Sequence, residues 1–392
     1  MLIDSVKNLE HMCNNLLMLQ PKFIAIDTEF VRNSNEYYPR LCLVQVAYGK
    51  EQFVIDVLAS DMDLSPLSSI LYNKNIVKVF HDCKQDIDAL LTKFPKIPNP
   101  IFDTQIAAMF CYCYENAVGY SKLVEQFLGI SLDKLSLKRS NWMLRPLSPD
   151  KIQYALNDVI YLHELYQILY DNLVDAGKLS WFLEEMDNIV LQELNYSDVC
   201  DIPDLSSDIT REEIIVVKSV IEWREKLAQF FNLNRELILR NKVILSLIKD
   251  FIRRSDISTL SKYIKKEYLT HSIVGDLLEI INNNQSVNVD ELYNIDTNYN
   301  QSVLNILLIL LYNLCYKNNI SQKLVTSKGN LIKLLSGKFS YVMKGWRYEF
   351  FGCEIEKFMQ GKSKIIVSAQ VLDNNFIDIM TTLADMQSDI AN

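Results

Sequence analysis

The strand-like stretch FIAIDTEFV (23–31) carries two carboxylates two residues apart, Asp27 and Glu29, among the apolar Phe23, Ile24 and Ile26. On an extended chain residues i and i+2 share a face, so both acids project to the same side. At about 4 Å and an effective dielectric near 20, two like charges repel by roughly 4 kcal/mol. Such a pair belongs either at a solvated strand end or around a cation. Two further segments supply acids. KVFHDCKQDIDAL (78–90) turns from strand into helix with Asp82, Asp86 and Asp88 near the helix start, where the helix dipole favours acids on its own account. Ile87, Leu90 and Leu91 mark its buried stripe, and the i,i+4 relation to Leu90 puts Asp86 on the border of that stripe and Asp88 away from it. In YALNDVIYLHELY (154–166), Tyr154 and Asp158 lie one helical turn apart on one face, beside Ala155, Ile160, Leu162 and Leu165. Four carboxylates from three elements (Asp27, Glu29, Asp86 and Asp158) make an all-oxygen donor set that suits Mg²⁺ or Mn²⁺ rather than zinc. Two such ions, about 3.5–4 Å apart, stabilise both the attacking and the leaving oxygen in phosphodiester cleavage.

The elements that must position these acids follow from patterning. Strands are expected at 23–27, 41–47, 53–57 and 76–80, with a short one near 101–104; the first three are closely spaced and suit an antiparallel meander. Helices are expected near 82–93, 104–114, 120–128 and 149–176. This order implies a mixed sheet covered by helices, an α/β domain over residues 1–196. Residues 197–210, SDVCDIPDLSSDIT, are polar and aperiodic and read as a linker. Helical patterns then fill 211–231, 236–252, 256–267 and 272–283. A second connection follows at 284–300, and helices resume at 302–316, 321–336 and 348–360. The expected organisation is therefore an α/β domain (1–196) and two all-α domains (211–283 and 301–366), joined by linkers at 197–210 and 284–300 and followed by a tail, 367–392.

Composition narrows the class. With 49% hydrophobic and 23% charged residues among 392, the chain has the balance of a globular protein. The most apolar stretch, SVLNILLILLYNLCY (302–316), is shorter than the ~20 residues of a membrane span and contains Asn305 and Asn313, so it reads as a buried helix. The N-terminal MLIDSVKNLEHMCNNLLMLQ has amphipathic rather than signal-peptide spacing. Eight cysteines without a CxxC, and four histidines without ligand spacing, indicate free thiols in a reduced, cytoplasmic setting. The net charge of −9 hides two basic segments. From Lys317 to Lys364 ten Lys/Arg face three acids, a balance of +7; from Arg211 to Arg254 ten face six, or +4. A helicase or NTPase is excluded, because QGKSK (360–364) has Glu356 where a P-loop needs its first glycine.

With these motifs the chain resembles the ribonuclease D family of the DEDD 3′→5′ exonuclease superfamily. The D-x-E motif is matched by DTEF, followed by YYPRLCLVQVA (37–47); the second motif's acid falls on Asp86; the third, Y-x-x-x-D, is met by Tyr154 and Asp158. FDTQIAA (102–108) and NWMLRPLS (141–148) resemble stretches between the second and third motifs. Residues 219–249 resemble an HRDC domain, the helical module shared with RecQ-type helicases, and 324–352 a second, diverged HRDC-like domain. The resemblance covers about residues 10 to 365 and implies a ribonuclease H-like fold. It also implies a metal-dependent 3′→5′ exoribonuclease that releases 5′-mononucleotides, trims the unpaired 3′ ends of tRNA precursors, and needs neither a membrane nor a nucleotide cofactor. It assigns two divalent ions (Mg²⁺ or Mn²⁺) to Asp27, Glu29, Asp86 and Asp158, and orientation of the attacking water to Tyr154. Substrate contacts are expected from Thr28, His81, Trp142 and Arg145 in the α/β domain. In the helical domains they are expected from Arg235, Arg240 and Lys242, and from Lys344 and Arg347, while Trp223 and Trp346 are expected in cores. Two other functions remain open on this reading: a DNA exonuclease or repair factor, and a non-catalytic RNA-binding scaffold.

Overall fold

The structure is a computed structural model that describes residues 1–114, 116–132, 140–191, 211–254, 262–264, 299–337, 340–372 and 376–383. The chain divides into two compact units. The first comprises Met1–Ile101, Lys134–His163 and Ile189–Ile295; the second comprises Phe102–Asp133, Glu164–Asn188 and Asp296–Asn392.

In the first unit the strands are β1 (Leu2–Ile3), β2 (Phe23–Val31), β3 (Arg40–Tyr48), β4 (Glu51–Asp56) and β5 (Val77–Phe80), with β6 (Ile101–Asp103) at the division between the units. The sheet order is β1-β4-β3-β2-β5-β6. β2, β3 and β4 form the expected antiparallel meander, and β5 joins β2 in parallel, so the sheet is mixed. β1, which pairs with β4 through Leu2 and Ile3, has too few residues to leave a period in the sequence. The strand carrying the acids is thus an inner strand between an antiparallel and a parallel neighbour, paired with β5 up to Ala25 and with β3 along Asp27 and Glu29.

Helices α1 (Val6–Leu19), α2 (Ser68–Leu71), α3 (Lys84–Leu90), α4 (Thr104–Cys111) and α5 (Tyr120–Leu128) precede the pair α6 (Pro149–Ile160) and α7 (Leu162–Asp175). α1 buries Leu9, Met12, Cys13 and Leu16, the stripe its amphipathic spacing calls for. α6 starts where Ser148 accepts the Lys151 N–H and Pro149 takes the first turn. It packs over β2, β3 and β4 and buries Ala155 and Val159. The helix expected over 149–176 is broken at Tyr161 (φ −99°, ψ 0°), with no proline or glycine to signal it. The following helix α8 (Leu179–Leu191) was not marked by the sequence reading.

The helices α9 (Arg211–Phe231), α10 (Arg235–Ile238) and α11 (Asn241–Arg254) also belong to the first unit. Their core gathers Val217, Val220, Trp223, Ile238, Ile244 and Leu247. They are tied to the loop after β2. The Tyr37 hydroxyl donates to Glu225 at 2.7 Å and accepts from Gln229 at 3.0 Å, the Tyr38 N–H reaches Asn232 at 3.0 Å, and Asn234 Nδ2 donates to the Ser34 carbonyl at 2.8 Å. The expected helix at 272–283, nearly all of 256–267, the linker 197–210 and most of the connection 284–300 lie outside the described residues.

The second unit is built from α4, α5, most of α7 and α8, the helix Gln301–Lys317 and the shorter helices Gln322–Val325, Lys328–Leu335 and Cys353–Met359. The apolar stretch at 302–316 is a packed helix, burying Leu304, Leu307, Leu310, Leu311 and Cys315. Among the described residues no helix is long and apolar enough to cross a membrane. Trp346 is fully buried against Phe110 and Trp181, and its backbone N–H donates to Glu184 at 3.1 Å. Gly345 takes the left-handed conformation (φ +53°) beside the Glu184 carboxylate, a backbone that L side chains rarely adopt, so this turn favours glycine. Beyond the helices, Ser363–Leu372 and Phe376–Leu383 pair as an antiparallel hairpin that crosses the boundary expected at 366.

Candidate active site

Alternation along β2 turns Asp27 and Glu29 to one face of the sheet, opposite Gln45 and Leu43 of β3. After Glu29 the register slips: Glu29 pairs with Leu43 but Phe30 with Leu41, leaving Cys42 as the extra residue of a bulge. Such bulges bend a strand and re-aim its side chains. On the helix packed over this face, Asp158 completes the group. One carboxylate oxygen from each of Asp27, Glu29 and Asp158 lies within 4.8 Å of the other two, and all three side chains are half-buried.

Asp86 arrives from the opposite edge of β2. The chain leaves β5 through His81 and Asp82, and Asp82 takes the left-handed conformation (φ +59°), which Asp tolerates better than most residues. This turn starts α3 with Asp86 in its first turn, 6% exposed. The β5 pairing ends at Ala25, and farther along β2 the Thr28 N–H and hydroxyl both donate to Asp86 Oδ1, at 3.1 and 2.5 Å. Asp88, which helical spacing places away from the buried border, is instead buried as well. Arg32 reaches it at 2.6 Å and neutralises it.

These charges act on one another. Burial, then the neighbouring Asp86, Asp158 and Glu29 carboxylates, push Asp27 well above the ordinary carboxylate range, against a smaller opposing effect from the Thr28 N–H. Burial, then the Asp158, Glu29 and Asp27 carboxylates, push the Tyr154 phenol upward, so it remains a neutral O–H donor at physiological pH. The Tyr154 ring is tilted against Trp142 with centroids 5.9 Å apart. A donor set made wholly of carboxylates, destabilised by its own repulsion, fits a hard divalent cation.

The expected substrate contacts divide by what their polar atoms already touch. Thr28 is buried and its hydroxyl is committed to Asp86. Trp142 is 2% exposed and packs under Tyr154 with Leu43 and Val54. Arg145 departs furthest from expectation, because all five of its N–H groups are used internally. Nε and Nη2 grip Asp56 at 2.6 and 2.5 Å, Nη1 donates to the Trp142 and Leu144 carbonyls at 2.7 and 3.0 Å, and Nη2 also reaches the Cys42 carbonyl at 3.3 Å. It is a strut between the bulge, the end of β4 and the approach to α6. His81 is half-buried at the end of β5. Arg235 pairs with Glu225 at 3.5 Å, while Arg240 and Lys242 are exposed. In the second unit Arg347 is clamped by both oxygens of Glu185, at 2.7 and 2.8 Å, and lies on the Trp346 ring; Lys344 is exposed. The sequence reading missed Asp56 and Gln45. Each could have been noticed as a polar residue inside an apolar strand, in FVIDV and LCLVQVA.

Residues 2–174 match the family model described as a 3′-5′ exonuclease, which sets the class of the fold and its acid cluster. Over the longer chain, the ribonuclease D of Bartonella henselae is 31% identical across 356 residues, 87% of this chain and 86% of that one. That of Zymomonas mobilis is 32% identical across 376 residues, 92% and 94% of the two chains. The crystal structure of Escherichia coli RNase D, an exoribonuclease involved in structured RNA processing, superposes with a TM-score of 0.74 at 26% identity, covering 92% of this chain and 98% of that chain. The chain belongs to the ribonuclease D family. It is a 3′-5′ exoribonuclease with an α/β, ribonuclease H-like exonuclease domain, and it acts on RNA.

Two outcomes follow from this geometry. A carboxyl whose folded pKa is raised contributes stability below its unfolded value, near 3.9, and loses it as pH rises through the folded value. In EDTA the wild type will therefore lose thermal stability relative to Asp27→Asn as pH is raised from 4 toward neutral; parallel melting curves across that range would contradict the shift. Arg145→Lys cannot keep the two-pronged grip on Asp56. It will lose about 1–3 kcal/mol of stability with KM for RNA unchanged, whereas a raised KM at unchanged Tm would return Arg145 to the substrate.

Proposed function

We propose that this exoribonuclease is metal-dependent, holds two divalent ions (Mg²⁺ or Mn²⁺) on Asp27, Glu29, Asp86 and Asp158, and removes 5′-mononucleotides from RNA 3′ ends. The observation that carries this reading is the convergence of Asp27, Glu29 and Asp158 oxygens within 4.8 Å. Bound there, the ions would supply positive charge to the attacking and leaving oxygens and acidify the attacking water. The protein's own part is positional. β2 and α6 hold three acids together. Thr28 fixes Asp86 beside Asp27. Tyr154, kept neutral, donates a hydrogen bond that orients the attacking water toward the terminal phosphodiester.

The proposed RNA is a tRNA precursor with an unpaired 3′ end, processed in the cytoplasm; the free thiols of the described cysteines are compatible with a reducing compartment. The segments 211–283 and 301–366 are proposed as HRDC-like modules that hold RNA by its backbone, with 1–196 as the exonuclease domain, 197–210 and 284–300 as linkers and 367–392 as the tail. Exposed Arg240 and Lys242 in the first module, and Lys344 in the second, suit phosphate contacts. Arg235 and Arg347, held by Glu225 and Glu185, are better suited to bracing their modules.

A 5′-labelled RNA with a single-stranded 3′ tail, beside the matching DNA, tests the reaction. Wild type will shorten the RNA from its 3′ end with Mg²⁺ or Mn²⁺ but not in EDTA, Asp27→Ala will not shorten it, and Tyr154→Phe will lower kcat while retaining the thermal shift on divalent binding. Equal cleavage in EDTA would refute metal dependence, and faster cleavage of the DNA would move the substrate to the repair reading. For the RNA-binding face, Arg240→Ala combined with Lys242→Ala will raise Kd by several-fold and reduce the slope of log K against log salt by about 1.4, since each single-strand phosphate contact contributes about 0.7. An unchanged slope would remove both residues from the interface.

A further inference from the structure

Gln45 is fully buried at the centre of β3, yet neither its side-chain nitrogen nor its oxygen has a hydrogen-bond partner. Leaving a buried polar group unsatisfied destabilises the fold, and an apolar side chain of similar length would avoid that cost. Its location gives a reason for the amide. In the antiparallel pairing Gln45 stands directly opposite Asp27, so the two side chains share a face with Cβ atoms about 5 Å apart. On its other flank it stands opposite Val54 of β4, which offers no hydrogen bond. Helix α6 covers this face and buries the apolar Ala155 and Val159. The carboxamide is therefore enclosed between an apolar wall and the acid at the centre of the cluster.

We infer that Gln45 is a positioning residue for the cation site: its Nε2–H donates to the Asp27 carboxylate when the acids take up divalent ions, fixing the orientation of that carboxylate. This inference rests on the metal dependence proposed above. A carboxylate that binds a cation through one oxygen still needs donors for its remaining lone pairs, and an amide held dry beside it meets that need without reorganisation.

The test uses Gln45→Met, which keeps the length and removes the polar atoms, and Gln45→Leu as a second apolar variant. Each is titrated with MnCl₂ and MgCl₂ and followed by thermal melting and calorimetry, so that the readout does not depend on turnover. In EDTA either variant is expected to melt at or above the wild-type temperature, since a buried unpaired amide has been removed. The divalent concentration giving half of the thermal shift is expected to rise 10- to 100-fold, the range seen when a group supporting a metal ligand is lost. An unchanged divalent midpoint in whichever variant retains the wild-type melt in EDTA would overturn the role of Gln45 and leave it a structural amide. No divalent response in the wild type would instead overturn the metal dependence, and the role of Gln45 with it.

Discussion

Asp27 is surrounded by carboxylates from β2, α3 and α6, and their mutual repulsion is the cost that the surrounding fold has to absorb. Each supporting feature acts against that repulsion. β2 is paired with β5 up to Ala25 and with β3 along the segment that carries Asp27 and Glu29, so the acids sit on a strand anchored in the sheet. The bulge at Cys42 and the Arg145–Asp56 grip fix the register in which Glu29 and Asp27 face α6. The Thr28 clamp places two donors on one oxygen of Asp86, which holds that acid beside the others. A lysine or arginine in the middle of the cluster would have relieved the repulsion more simply. It would also have occupied the place a cation fits.

The charges elsewhere divide into two populations with different work. Arg32, Arg145, Arg235 and Arg347 are each committed to an acid, and in Arg145 every donor is used. Guanidinium groups serve this purpose because their planar fork satisfies a carboxylate and nearby carbonyls together. Arg240 and Lys242 stand exposed, as the proposed phosphate contacts require. A count of basic residues along the chain merges the two. The helices α9–α11 also carry a mechanical connection. Through Tyr37, Tyr38 and Asn234 they are hydrogen-bonded to the loop that follows β2, so this helical segment is part of the unit that holds the acids.

Much of the site was legible because it is local. The D-x-E pair announces itself by period-two alternation and the Tyr154–Asp158 pair by the helical turn, and the meander β2–β4 by short connections between apolar runs. What was missed depended on contacts between distant segments. Asp88 looked peripheral because helical spacing cannot anticipate Arg32, 56 residues away. Arg145 looked available for substrate because Asp56 lies 89 residues away. The break at Tyr161 and the short β1 left no pattern, since neither contains a breaker residue or a full period.

The amino-acid sequence by itself determined the residue types, their faces on each strand or helix, and the class of chemistry that an all-carboxylate set supports. Periodicity is a property of consecutive residues, and so is the choice between hard and soft ligands. Only the tertiary structure decided which charges are neutralised internally, that Asp86 is held by Thr28, and that an unpaired glutamine amide lies opposite Asp27. Those outcomes depend on register, burial and through-space distance, and they arise when β2, β3, α3 and α6 are brought together.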